Sequence, residues 1–155
     1  MASLYCLDTS ALIESWWNLY PPDLFPSFWE KLDEAIVNGC FTSPEIVLEE
    51  LEEKDDKVYA WAKKRADHLF VPLDTELQRV QAEIVNTFPR LTSPLKGRSL
   101  ADPWVIALAQ IRQCPVVTME QPGSDNRPKI PDVCRKLGIG HMRIVDLIRA
   151  MGWQF

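Results

Sequence analysis

The sequence lacks several features that would each have assigned it to a class of protein. It has no apolar run near the roughly 18 residues that a membrane-spanning helix requires. It has no glycine-rich loop of the Walker or dinucleotide-binding type. No basic segment precedes an apolar stretch at its start, so we expect no signal peptide. For a chain of 155 residues, we therefore expect one domain spanning residues 1–155, located in the cytoplasm with no membrane association.

Histidine and cysteine are sparse and widely spaced. His68 and His141 have no partner at ligand spacing, and no histidine is placed to act as the base of a serine nucleophile. The four cysteines show no paired spacing of the zinc-binding kind. Cys6 and Cys114 lie in or beside apolar runs, where a thiol acts as a small hydrophobic group. These patterns favour neither a zinc site nor a covalent hydrolase.

The chain has no excess of positive charge. Its net charge is -5 and its pI is near 5.1. A general nucleic-acid binder is usually basic, so this class is not favoured. An enzyme that gathers carboxylates around a divalent cation is still compatible with the composition, because the cation supplies the positive charge that the protein lacks.

Strand-like and helical patterns alternate along the whole sequence. The predicted strands lie at residues 4–7, 41–42, 69–71, 115–118 and 142–145. The predicted helices lie at residues 9–19, 25–38, 43–53, 56–67, 74–87, 102–113, 132–137 and 146–151, with a loop at 92–99. This alternation predicts a three-layer αβα fold with a central parallel sheet of about five strands.

The first predicted strand ends directly in a carboxylate. The uncharged residues 4–7 are followed by Asp8, Thr9 and Ser10, where a helical pattern begins. Ligands of open α/β sheets bind just beyond the carboxyl ends of the strands, which makes Asp8 a candidate metal ligand or catalytic group. The alternative is that Asp8 or Thr9 only caps the first helix.

Three further acids occupy comparable positions. Glu50 shares a helix face with apolar residues, where a carboxylate is costly to bury unless a cation, a salt bridge or water compensates it. Asp102 precedes a helix that is apolar nearly all round, although Asp-Pro is also an ordinary helix start. Glu120 follows the strand at 115–118, with a solvated loop acid as the alternative and Asp125 as a substitute.

The four acids together suggest one site. Carboxylates in one crevice repel one another, and carboxylate oxygens suit Mg²⁺ or Mn²⁺ rather than zinc. Such a site can lower the pKa of a bound water and hold the oxygens of a phosphodiester.

Four segments resemble, in order and spacing, the motifs of PIN-domain ribonucleases. They are CLDTSAL at 6–12, IVLEEL at 46–51, ADPWVIALA at 101–109 and VVTME at 116–120. The resemblance covers nearly the whole chain and implies a PIN-like fold with Mg²⁺- or Mn²⁺-dependent cleavage of RNA. It implies that Asp8, Glu50 and Asp102 hold the metal, and that Thr118 and Glu120 complete the catalytic site. It also implies an antitoxin partner if the chain is a VapC-type toxin.

The sequence departs from this family pattern in two ways. The family usually has aspartate where this chain has Glu120. Residues 15–29 are also longer and more aromatic than in short toxin members. The aromatic residues from Trp16 to Trp29 could pack in the core, stack on RNA bases or form the interface of a homodimer.

Basic residues in two predicted loops are candidates for substrate binding. Lys96 and Arg98 precede the helix that starts at Asp102, and Arg127 and Lys129 follow a strand end. Such residues could bind phosphate, and ordinary solvated loops are the alternative.

Two other functions are compatible with the same residues. The first is a PIN-like binding or scaffold module without turnover. The second is a receiver- or phosphatase-like domain that uses Asp8 as a phosphorylated nucleophile. Phosphatases of that type usually carry a second aspartate two residues later, where this chain has Ser10.

Overall fold

The computed structural model describes residues 3–92 and 100–155. A five-stranded sheet lies at its centre, and every pair of neighbouring strands is parallel. The strands are β1 (Tyr5–Leu7), β2 (Phe41–Pro44), β3 (Phe70–Val71), β4 (Val116–Val117) and β5 (His141–Met142), in the order β3-β2-β1-β4-β5. The parallel sheet of about five strands is confirmed.

Helices connect the strands throughout the described part of the chain. Before β2 come α1 (Thr9–Glu14), a π-helical segment (Ser15–Leu19) and α2 (Pro26–Val37); before β3 come α3 (Glu45–Lys54), α4 (Asp56–Lys63) and α5 (Ala66–Leu69). The later helices are α6 (Thr75–Thr87), α7 (Asp102–Arg112), α8 (Ile130–Leu137) and α9 (Ile144–Met151). No helix within residues 3–92 or 100–155 is both long enough and apolar enough to cross a bilayer.

The direction of chain progression across the sheet reverses at β1. β2 and β3 are added on one side of β1, and β4 and β5 on the other. Because crossovers between parallel strands are right-handed, this reversal places the two groups of connecting helices on opposite faces. The predicted αβα layers are confirmed, with α7 packed on β1, β2 and β4 and in contact with α6 and α8. Open α/β sheets bind ligands where the strand order reverses, which here is the crevice between β1 and β4.

The core contains the strands and α7. Tyr5, Cys6 and Leu7 are buried, as are five consecutive residues of α7 from Val105 to Ala109. Burial raises the pKa of the Cys114 thiol to about 11 and that of Cys134 to about 12. These thiols are therefore protonated at neutral pH and pack as apolar groups.

Two helices begin two residues earlier than the sequence predicted, for the same reason. The Asp132 carboxylate accepts a hydrogen bond from the backbone N–H of Lys129 at 2.8 Å, and Asp146 accepts one from Arg143 at 3.2 Å. An aspartate at the third helical position can accept a hydrogen bond from the backbone N–H of the residue before the helix. In the sequence each of these aspartates resembles an N-cap, so the helix start is predicted two residues too late. The start of α9 also limits β5 to two residues.

Three other predicted boundaries differ from the structure. Ser43 does not cap α3 but lies in β2, where its Oγ donates to the carbonyl of Leu7 at 2.8 Å. The first predicted helix changes to π-helical geometry at Ser15, and the helix predicted at 56–67 is divided into α4 and α5. Most of the loop predicted at 92–99 lies outside the described residues.

The aromatic residues between Trp16 and Trp29 pack largely on one another. Trp16 meets Trp29 edge-on with ring centroids 5.0 Å apart, and Tyr20 stacks on Phe28 at 4.7 Å. Core packing therefore accounts for these four rings. Trp17 is 47% exposed and available at the surface.

Candidate functional site

A cavity of 230 Å³ opens at the carboxyl ends of β1 and β4. Carboxylates from five positions line it: Asp8, Glu14, Glu50, Asp102 and Glu120. The remaining described lining residues are Thr9, Ser10, Ile13 and Lys54. All four acids proposed from the sequence thus lie at the same cavity, and they reach it from the end of β1, from α3, from the start of α7 and from the segment after β4.

Asp8 is held by three hydrogen bonds and is only 1% exposed. Its Oδ1 accepts from the backbone N–H of Thr9 at 2.8 Å, so Asp8 also serves as the N-cap of α1. Its Oδ2 accepts from Ser10 Oγ at 2.7 Å and from Thr118 Oγ1 at 2.8 Å. Parallel pairing of Leu7 with Val117 brings Thr118 to this position. The capping role and the cavity position of Asp8 therefore occur together.

The surroundings of Asp8 oppose its negative charge. Burial raises the pKa of the Asp8 carboxyl to about 6, and the neighbouring charges of Glu120 and Glu50 act in the same direction. The hydroxyls of Ser10 and Thr118 act in the opposite direction, because they donate hydrogen bonds to the carboxylate. A cation in the cavity would relieve both the burial cost and the repulsion.

Glu50 lines the cavity and also forms an ion pair. Its side chain is 10% exposed, and its Oε1 lies 3.2 Å from Nζ of Lys54, one helical turn later. The salt bridge considered from the sequence is therefore present, and Glu50 lines the cavity as well.

Asp102 is the first residue of α7 and is 4% exposed. The residue at the N-cap position is Ala101, so Asp102 is not the N-cap. The buried apolar residues of α7 fix the helix against β1, β2 and β4. This packing directs the start of α7, with its carboxylate, to the cavity.

Glu120 lies in the segment after β4, and hydrogen bonds hold it at the cavity. Its backbone N–H donates to Thr118 Oγ1 at 3.1 Å, and its Oε1 accepts from the backbone N–H of Ile130 at 3.1 Å. Asp125, the substitute considered from the sequence, is 93% exposed and pairs with Lys136 at 3.2 Å. Asp125 does not belong to the described lining of the cavity, whereas Glu120 does.

The other residues named from the sequence lie elsewhere. Thr118 is buried behind Asp8 and holds that carboxylate rather than lining the cavity. Arg127 and Lys129 lie in the segment between β4 and α8 and are also not part of the described lining. Lys96 and Arg98 fall outside the described residues.

Four polar lining residues were not singled out as site residues from the sequence: Thr9, Ser10, Glu14 and Lys54. Ser10 contacts Asp8 and also accepts from the backbone N–H of Met119 at 3.0 Å, which joins the ends of β1 and β4. Helical spacing could have indicated two of them, because residues four apart share a helix face. Glu14 lies four residues after Ser10, and Lys54 lies four residues after Glu50.

Asp132 organises the segment that follows Glu120. It is 5% exposed, and its Oδ2 accepts from the backbone N–H groups of Gly123 at 2.6 Å and Lys129 at 2.8 Å. Although burial raises the pKa of the Asp132 carboxyl, these hydrogen bonds hold it below its ordinary value. A Cβ at Gly123 would lie 2.2 Å from the carbonyl oxygen of Arg127, so the close fold of this segment requires glycine.

We expect Asp132→Ala to lower the free energy of unfolding by about 1–3 kcal/mol, because two backbone N–H groups lose a charged acceptor. Urea denaturation monitored by tryptophan fluorescence measures the change. Asp125→Ala is the matched control, and we expect a change within about 0.5 kcal/mol because Asp125 is exposed. Equal urea midpoints for the two variants would contradict the role given to Asp132.

The chemistry of the cavity fits a hard divalent cation. Carboxylates and the hydroxyl-bearing residues Thr9 and Ser10 line it, and oxygen atoms are the donors that Mg²⁺ and Mn²⁺ favour. The raised pKa of Asp8 records a charge penalty that such a cation would relieve. Within the described ranges, no three His, Cys, Asp or Glu side chains form a ready-made metal-ligand group in their present positions.

Solved structures of the same fold include bacterial VapBC and FitAcB complexes. VapBC2 from Rickettsia felis bound to a promoter DNA fragment is similar over 90% of this chain and 98% of that chain, at 14% identity and a TM-score of 0.57. DNA-bound VapBC from Salmonella typhimurium is similar over 92% of this chain and 98% of that chain, at 18% identity and a TM-score of 0.56. FitAcB from Neisseria gonorrhoeae is similar over 90% of this chain and 96% of that chain, at 16% identity and a TM-score of 0.51. The fold is the PIN-like fold of VapC-type proteins.

A comparison with protein families places the chain in one of them. A family model described as a domain of unknown function (DUF4411) matches residues 5–155, and the chain belongs to that family. No curated protein matches the sequence significantly.

Proposed function

We propose that this protein is a Mg²⁺- or Mn²⁺-dependent endoribonuclease that hydrolyses phosphodiester bonds of RNA. The observation that carries the proposal is a cavity at the reversal point of a PIN-like sheet, lined by carboxylates from separate elements. Asp8, Glu50 and Asp102 would hold the metal, and Glu120 would hold it directly or through water.

The residues of the chain have distinct parts in this proposal. A bound divalent cation supplies charge neutralisation and lowers the pKa of an associated water. Ser10 and Thr118 fix the Asp8 carboxylate in place, so that it needs little reorganisation during the reaction. The N-terminus of α7 adds a positive helix dipole beside Asp102, which favours negative charge there.

The receiver-like alternative is less compatible with the fold, and the phosphatase-like alternative lacks the second aspartate two residues after Asp8, where this chain has Ser10. Receiver domains have the flavodoxin-like strand order 2-1-3-4-5, whereas this sheet has the order 3-2-1-4-5. A PIN-like scaffold without turnover is the remaining alternative, and the experiment below separates it from the enzyme.

The partners form part of the same proposal. RNA is the substrate, with Lys96, Arg98, Arg127 and Lys129 as candidate phosphate contacts. An antitoxin protein is proposed because solved structures of this fold are VapBC complexes. A homodimer could form through exposed residues of the aromatic segment, such as Trp17. We propose residues 1–155 as one domain acting in the cytoplasm.

We expect Mg²⁺ or Mn²⁺ to raise the melting temperature in a dose-dependent way and to be required for cleavage of single-stranded RNA. Binding to the native state alone stabilises it by mass action. Ca²⁺ should bind but support little cleavage, because its coordination is looser. Thermal shift and gel assays with EDTA controls measure both properties. A thermal shift without any cleavage would favour the scaffold, and no shift with any ion would contradict the metal site.

The thermal shift should also depend on pH. With a pKa of about 6, Asp8 is mostly protonated at pH 5, so protons compete with the cation and the shift is smaller than at pH 7.5. Between about pH 4 and 6 the folded protein binds more protons than the unfolded chain. The Asp8 contribution to the stability of the metal-free protein should therefore fall as pH rises through this window. Asp8→Asn should remove that part of the pH dependence.

A further inference from the structure

Lys54 is the one basic side chain among the described residues that line the cavity. Its Nζ lies 3.2 Å from the Glu50 carboxylate, and its side chain is 48% exposed whereas that of Glu50 is 10% exposed. The ammonium group therefore lies at the solvent side of the pair, and the carboxylate lies at the inner side. A positive group at this place faces both the acids of the cavity and any anion that approaches from solvent.

A divalent cation and Lys54 would compete for the same carboxylate. When a cation takes up Glu50, two positive charges face one negative group, and the ion pair of Lys54 is weakened. The long, flexible lysine side chain can then direct its ammonium to the mouth of the cavity without changing the backbone of α3.

We propose that Lys54 is a substrate-binding residue. When the metal binds Glu50, Lys54 gives up its ion pair with Glu50, and its ammonium group binds an RNA phosphate at the mouth of the cavity. The proposal rests on the ribonuclease function proposed above. It assigns two properties to one side chain: Lys54 opposes metal binding in the free protein, and it supports RNA binding in the metal-loaded protein.

Neighbouring lysines are placed differently and provide controls. Nζ of Lys57 lies 5.4 Å from the centre of the Trp17 ring, and Nζ of Lys63 lies 5.7 Å from the centre of the Tyr59 ring. Neither lysine belongs to the described lining of the cavity. Lys57→Met therefore removes the same charge close in sequence but outside the site.

The first measurement is Mg²⁺ affinity by calorimetry on the full chain. Lys54→Met should bind Mg²⁺ about two- to fivefold more tightly than the wild type, because a competitor for Glu50 and a nearby positive charge are lost. Lys57→Met should match the wild type. Equal or weaker Mg²⁺ binding by Lys54→Met would overturn the proposal, since Lys54 would then not compete with the cation.

The second measurement is binding of a single-stranded RNA oligonucleotide with Ca²⁺ in place of Mg²⁺, at several salt concentrations. Lys54→Met should weaken binding about tenfold. The slope of log Kd against log salt should become shallower by about 0.7, the value for one lost phosphate contact on a single strand. Lys54→Arg keeps the charge and should keep the slope.

The outcomes separate this proposal from the ribonuclease function itself. If the wild type binds RNA but Lys54→Met leaves both affinity and salt slope unchanged, Lys54 has no part in substrate binding and only the proposal fails. If the wild type neither binds nor cleaves RNA with any divalent ion, the proposed function fails and Lys54 loses its substrate role with it.

Discussion

Asp8→Asn is expected to reduce RNA cleavage by about a thousandfold, the size of effect found when a preorganised electrostatic group is removed from an active site. Both oxygens of the Asp8 carboxylate are held by hydrogen bonds at the cavity. An amide at this position carries no charge, and its nitrogen cannot ligate a hard cation. Single-turnover cleavage of a labelled RNA with saturating Mg²⁺ measures the effect.

The same substitution should not destabilise the metal-free protein at pH 7.5. With a pKa of about 6, Asp8 is charged there despite its burial and despite the charge of Glu120. The hydroxyls of Ser10 and Thr118 can rotate and accept hydrogen bonds from an amide. We expect the free energy of unfolding to stay equal or to rise by up to about 3 kcal/mol.

Two measurements would contradict this account of Asp8. Wild-type turnover by Asp8→Asn under Mg²⁺ would remove the basis of the metal site. A large loss of stability would show that Asp8 is needed mainly as a cap of α1, and the loss of activity could then be attributed to unfolding. Asp125→Asn, in an exposed position, is the control for both measurements.

The sequence was most informative where an acid follows a regular element. Asp8 and Glu120 lie beyond the ends of predicted strands, and Asp102 begins a strongly apolar helix. Burial dictates the position of such elements, and parallel strands have their carboxyl ends at one edge of the sheet. The sheet, its strand direction and the position of these acids could therefore be predicted from one chain.

Features that depend on hydrogen-bond partners far along the chain were not predictable. Ser43 has the sequence signature of an N-cap, but its hydroxyl meets the Leu7 carbonyl of the neighbouring strand. Asp132 has a similar signature, yet its carboxylate bonds to Gly123, nine residues earlier. Capping rules describe local partners only, so they cannot distinguish these cases before the strand order is known.

The partner of Glu50 could not be identified from the sequence either, although the cost of burying its carboxylate could be. The cost of burying a carboxylate indicated that Glu50 has a partner, but a cation and a lysine satisfy that requirement equally well in a sequence. The spacing to Lys54 was visible and is also typical of ordinary exposed helix pairs. Only the shared cavity shows that the ion pair belongs to the site.

Glu120→Gln is expected to reduce turnover by about a hundredfold and to leave RNA affinity nearly unchanged. The Glu120 carboxylate lines the cavity and is held there by the backbone N–H of Ile130. A glutamine can keep the hydrogen bond from Ile130 through its carbonyl oxygen, so the position of the side chain is conserved while its charge is lost. A charge lost from the metal site acts on the transition state more than on the bound substrate.

Glu120→Asp separates charge from reach. It restores the residue usual at this position in PIN-domain ribonucleases but shortens the side chain by one methylene, so the bond to Ile130 and the position in the cavity cannot both be kept. We expect turnover between that of the wild type and Glu120→Gln. Asp125→Asn should be silent, because Asp125 is exposed and paired with Lys136. A silent Glu120→Gln with a damaging Asp125→Asn would instead make Asp125 the fourth acid. If both are silent, turnover depends on Asp8, Glu50 and Asp102, and the charge of Glu120 serves only to raise the pKa of Asp8.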